Sequence, residues 1–269
     1  MKKTLFITLS LFTMILFLLS CNNNSLKPDT YTKEEIDKKY PYWNIGMSEF
    51  KIAENLTNYA TITVEEKRFI LRCMALMRLA VNTSEFPTEV QKKDLASSVN
   101  ASYGSVTIKI GDKYDKSKIV DVIRSLTYTN FIYEKMSTGG AAFGTVGQSR
   151  YVRYVGGQDP NQIPTANWVG FENANWIQWS GNSLYGYASF SGLMFHEHMH
   201  NIGFTHVAQT SSNNVPYALQ DVVQKLIERI LYGDLKSKYA KALDELTAYY
   251  YTEYKDLLLE DSVFDPSKK

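Results

Sequence analysis

The chain has four histidines, and all of them fall within residues 196–206, HEHMHNIGFTH. Three of them, His196, His200 and His206, stand with Glu197 and Gly203 in the spacing H-E-x-x-H-x-x-G-x-x-H, a zinc-site pattern. On a helix, positions i and i+4 share one face, so the rings of His196 and His200 can take two corners of a tetrahedron. Glu197 is one step round from His196, near enough to reach a water at the metal without displacing it. His198 is turned about 200° from His196 and points away. Gly203 suits the left-handed residue that ends a helix, after which His206 can swing back as the third ligand. Three neutral imidazoles leave a fourth position open, as in catalytic rather than closed structural zinc sites. Zinc lowers the pKa of water there from about 15.7 toward ~7 and polarises a carbonyl. With Glu197 as general base, the pattern predicts hydrolysis of a peptide bond without a covalent enzyme intermediate.

H-E-x-x-H alone arises by chance in on the order of one chain in a hundred. Adding Gly203 and His206 lowers that to on the order of one in 10⁵, so the longer pattern carries the argument. Residues 188–200 read as the helix that bears it, with Leu193, Met194 and Phe195 on its apolar side and Gly192 allowing close approach.

The elements that must position this helix are legible along the chain. Residues 1–20 combine Lys2 and Lys3 with an apolar run, a targeting segment to be left out of the fold. The run ends in Leu18-Leu19-Ser20-Cys21, which resembles the lipobox of bacterial lipoproteins, with lipid attached at Cys21. An ordinary secretory signal or an anchor helix is the alternative. The shortness of the run, against ~20 residues for a span, favours the lipoprotein. That implies a bacterial envelope location, lipid-anchored, with Asn22 pointing to the outer membrane. The remaining chain has 27 basic residues (29 less Lys2 and Lys3) and 28 acidic, a balance of −1 with no basic run, which argues against nucleic acid. With Cys21 lipidated, Cys73 is alone and no disulfide framework can form.

Residues 21–45 are polar, carry Pro28 and Pro41, and read as a tether. Residues 46–104 read as a helical region, opened by the capping box Thr63-x-x-Glu66 ahead of an apolar stretch that contains Cys73. A buried, inert Cys73 is expected; a thiolate that caps the zinc is the alternative. An inhibitory pro-segment in this region is a further alternative to an ordinary helical subdomain. Residues 105–232 hold a strand over 106–110, a helix over 117–127, a second strand at Phe131 and Tyr133, and a glycine-rich turn over 139–148. An aromatic, β-prone stretch follows, including Trp168, Phe171, Trp176 and Trp179. It packs a twisted sheet or lines a substrate or glycan groove. An amphipathic helix through Leu219–Leu231 and a last helix within 233–269 close the chain.

The His196, Glu197, His200, Gly203, His206 set, with Ile202-Gly203-Phe204, resembles the metzincin clan of zinc metallopeptidases. The resemblance implies an α+β fold: a zincin catalytic domain with a twisted mixed sheet, an active-site helix and a C-terminal helix, here with additional N- and C-terminal helices. It implies Zn²⁺ on His196, His200 and His206, and Glu197 as catalytic base. Metzincins also carry a methionine in a turn below the zinc, whereas no methionine follows Met199. Asn214-Val215-Pro216-Tyr217 stands in that place, with Val215 for the methionine. Tyr217 then stands as a candidate fifth ligand or oxyanion stabiliser, or as a packing residue at a helix start. The expected function is a membrane-anchored zinc endopeptidase acting on proteins or peptides. The competing expectation is a surface lipoprotein that binds a glycan or protein partner and has lost peptidase activity.

Overall fold

The computed structural model describes residues 31–52, 59–96, 101–103, 106–108, 116–125, 127–128, 130–135, 142–144, 166–171, 184–201, 204 and 214–268. All belong to one unit, residues 31–269. Its fold is mixed α+β, as expected, and it is mostly helical.

The helix α2, Val64–Asn82, is central. Thr63 caps it: its hydroxyl accepts from the Glu66 N–H at 3.1 Å while the Glu66 carboxylate accepts from the Thr63 N–H at 2.6 Å. Leu71, Cys73, Met74, Leu76 and Met77 are fully buried. A helix buried on most of its sides must be surrounded. Three helices pack on it: α5 (Leu184–Asn201), α6 (Val215–Tyr232) and α7 (Lys236–Glu253). Burial pushes the Cys73 thiol well above its ordinary pKa, which makes it a packing residue rather than a reactive thiolate.

The folded part begins earlier than the tether expected over 21–45. Thr32 and Glu35 form a second capping box that opens the helix α1, Lys33–Lys39. Ile36, Tyr40, Trp43 and Ile45 are buried in the same core as α2. Side chains of α2 hold this arm by its backbone: Arg78 donates to the Tyr40 carbonyl and to Asp37, and Asn82 pairs with both backbone groups of Tyr42. The polar composition and prolines of the segment mask four apolar residues that reach the core.

The region 46–104, expected to be helical, supplies a strand to the main sheet. Glu49–Ile52 (β2), which alternates exposed and buried, follows β1 (Asn44–Ile45), itself paired in parallel with β6 (Thr127–Tyr128). β2 pairs in parallel with β7 (Asn130–Lys135), which pairs in parallel with β9 (Ala166–Phe171). The antiparallel edge strand β8, Ala142–Gly144, completes the order β2-β7-β9-β8. Thus the glycine-rich stretch, expected as a turn, contributes an edge strand. Its small residues hide the pairing that only β9 provides. The strand expected over 106–110 is β5, Val106–Ile108, and it pairs with β4 (Ala101–Tyr103) in a separate two-stranded sheet. The helix α3 (Glu85–Gln91) packs on α6 and on α4 (Lys116–Arg124), with Ile119 and Ile123 buried. β10, Ser262–Phe264, returns the C-terminal segment to β3, Ala60–Ile62, so residues 233–269 are stitched to the N-terminal region. Among the described residues no helix is long and apolar enough to cross a membrane. The expected signal segment, residues 1–20, and Cys21 lie outside the described residues.

Glu85 joins α3 to α7, accepting from Lys238 Nζ and from the Tyr239 hydroxyl, each at 2.6 Å. Burial opposes its charge, but these bonds hold the carboxyl down at about 2. A depressed carboxyl pKa stabilises the fold above the usual value of about 4.3, and that stability is lost as pH falls toward 2. Glu85→Gln should therefore unfold at lower denaturant concentration than the wild type at pH 7, and the gap should close between pH 4.5 and 2.

Candidate metal centre

Helix α5 enters the core from every side. Phe190 meets Phe69 of α2 at 5.2 Å between ring centroids, and Met194 accepts from the buried Tyr133 hydroxyl of β7. Gly192 lies at the crossing with α6. A Cβ there would stand 3.0 Å from the Gln224 Cβ and 3.2 Å from the Gln220 carbonyl oxygen. The close approach expected of Gly192 brings the start of α6 beside the C-terminal half of α5.

His196 and His200 come together on one face. Their Nε2 atoms are 3.2 Å apart. Two nitrogens bound at ~2.0–2.1 Å to one tetrahedral ion are separated by ~3.3–3.4 Å. The pair thus fits two corners of a zinc site with almost no movement. His200 Nδ1 lies 2.7 Å from the Phe204 carbonyl oxygen. Donating its proton there, His200 keeps the Nε2 lone pair for a metal, the outer contact that ligating histidines make. The Phe204 N–H in turn donates to the Met199 carbonyl at 2.9 Å, the six-to-one bond that closes a helix. His200 and the end of its own helix are therefore fixed by one residue.

His198 is fully buried on another side of α5, where desolvation lowers its pKa to about 3. Its ring stands edge-on to Trp43 at 5.5 Å. Its exclusion as a ligand, argued from helical angle, agrees with this placement.

Glu197 is 4% exposed, next to His196 on the helix. Tyr217 lies against the same pair: its ring centroid is 4.4 Å from that of His196. Burial and then the nearby Glu197 carboxylate push its phenol pKa up. The segment Asn214-Val215-Pro216-Tyr217, read as a turn ahead of a helix, is instead a cap and first turn. Asn214 is the N-cap of α6, its side-chain oxygen accepting from the Tyr217 N–H at 3.1 Å. Pro216 suits a first turn, where its missing N–H costs nothing. Val215 is buried. The cap fixes Tyr217 at the third helical position, facing His196.

His206 and Gly203 lie outside the described residues. Among the described residues no group of three His, Cys, Asp or Glu side chains is gathered to hold a metal. His196 and His200 supply two nitrogens, and the donor set suits zinc. Trp176 and Trp179 of the aromatic stretch also lie outside the described residues, while Trp168 and Phe171 belong to β9. Sequence reasoning missed Trp43 beneath the helix and the Phe204 carbonyl behind His200. No residue type signals a backbone acceptor. Comparison with protein-family models, with curated proteins and with solved structures finds no match.

A methyl group at Gly192 tests the α5–α6 crossing. Gly192→Ala gains about 1 kcal/mol of helix propensity, but overpacking against Gln220 and Gln224 costs about 1–3 kcal/mol. The backbone carbonyl cannot swing aside, so the clash should win. We expect a lower thermal transition for Gly192→Ala by circular dichroism; a higher one would contradict the tight crossing.

Proposed function

We propose that the chain is a zinc-dependent endopeptidase of metzincin-like architecture, anchored through a lipid on Cys21 to a bacterial envelope membrane. The observation that carries the reading is the His196–His200 pair, with Nε2 atoms 3.2 Å apart and the far nitrogen of His200 turned to a backbone carbonyl. His206 is the third ligand by its spacing, although it lies outside the described residues. A zinc ion held there supplies a Lewis acid and lowers the pKa of water at neutral pH.

The chain's own groups account for the rest. Glu197, buried beside His196, is the base that takes a proton from the attacking water and carries it to the leaving amine. Its burial keeps bulk water from competing for that proton. Tyr217 stands over the His196 ring with its phenol held protonated, so it can donate to the oxygen on which negative charge develops. The mixed sheet with its antiparallel edge strand β8 packs against α5 and walls the same helix.

Glu197→Ala should retain the wild-type content of about one zinc per chain and lose about 10²–10⁴-fold in kcat/KM on a denatured protein or a peptide library. Cleavage unchanged by this substitution would sink the reading.

A further inference from the structure

Trp43 has a φ of 55°, in the left-handed region where a bulky residue is an outlier. Such a backbone persists only where its surroundings over-determine it, and strained residues of this kind gather at functional sites. Here α2 supplies the restraint on the N-terminal side. Arg78 Nη2 donates to the Tyr40 carbonyl at 2.7 Å, and the Asn82 side-chain amide accepts from the Tyr42 N–H at 3.0 Å and donates to its carbonyl at 2.7 Å. On the other side Asn44 donates to Asp37 at 3.0 Å, and the Ile45 N–H returns to the Trp43 carbonyl at 2.9 Å. Every neighbour of Trp43 is pinned, and the strain falls on the one residue between them.

The result is the placement of one ring. The indole is fully buried, stacks on Phe195 at 4.7 Å and meets the edge of His198 at 5.5 Å. Phe195 precedes His196 by about 100° of helix rotation, and His198 follows it by about 200°. The indole thus grips α5 on the side away from the ligand face, through two residues that are covalent neighbours of the ligands or of Glu197. A small rotation of α5 at this level would swing both imidazoles off their common point.

We propose that Trp43 is a positioning residue for the metal site: it sets the rotation of α5 through Phe195 and His198, and so fixes where His196 and His200 point. The proposal rests on the zinc reading above and extends it to the N-terminal arm, residues 31–45. Being a space-filler alone would require only volume in the core, which an aliphatic side chain supplies.

The test uses the full chain, with zinc affinity measured by chelator competition and site geometry by the visible absorption of the cobalt(II)-substituted protein. Trp43→Ala should lower zinc affinity on the order of tenfold and weaken the cobalt bands. Trp43→Phe, which keeps an aromatic face, should recover most of both. Leu246→Ala, a fully buried truncation on α7, should lower stability and leave affinity and spectrum at the wild-type values. Should Trp43→Ala fail to fold, Trp43→Leu is judged by the same two readouts and the same expected losses. A folded variant lacking the aromatic ring but matching wild-type affinity and spectrum overturns the proposal. So does a loss in Leu246→Ala as large as in Trp43→Ala. A wild-type chain that takes up no zinc overturns the zinc reading and this proposal together, whereas wild-type zinc binding unaltered at Trp43 overturns this proposal alone.

Discussion

The rotational setting of α5 is the constraint on which the rest of the molecule depends. The helix runs through the core with His196, Glu197 and His198 all buried. Burying polar and ionisable groups is unfavourable unless each meets a partner, so the helix tolerates little freedom about its axis. Rotated by one residue, about 100°, it would turn Phe195 toward the ligand face. The surrounding elements remove that freedom from several directions: α6 crosses tightly at Gly192, Tyr133 of the sheet reaches Met194, and Trp43 closes the far side.

This arrangement lets one helix serve both packing and the proposed metal site. His198 and His196 have the same side chain two positions apart, yet one stands edge-on to an indole with its pKa lowered to about 3 while the other shares a face with His200. Burial alone decides His198. For His200 the deciding contact is the Phe204 carbonyl, which is present because the helix ends just there. Tyr217 joins the set through a different device, an asparagine cap that fixes the first turn of α6. Among the described residues, His200 and Tyr217 are thus each held at the end of a helix.

Much of this was legible in the sequence where the signal is local. The capping box at Thr63, the apolar periodicity of α6 and α7, the helix near 117–127 and the one-turn pairing of His196 with His200 all depend on residues within a few turns of one another. Sheet membership was not legible, because β2 and β8 are four- and three-residue segments whose partners lie far along the chain. The arm was missed for a different reason. Its Thr32-x-x-Glu35 box has the same form as the box at Thr63, but the helix it opens is seven residues long and sits among prolines and charges. The left-handed Trp43 has no sequence signature at all, since the conformation is imposed by Arg78 and Asn82 from another element.

X-ray absorption at the zinc edge of the metal-loaded chain addresses the central claim most directly. Three imidazole nitrogens from His196, His200 and His206 at ~2.0–2.1 Å, with one further light scatterer, is the predicted first shell. His206→Ala should remove one imidazole from the outer-shell pattern. A zinc environment without multiple imidazole scattering, or one unchanged when His206 is replaced, would contradict the account.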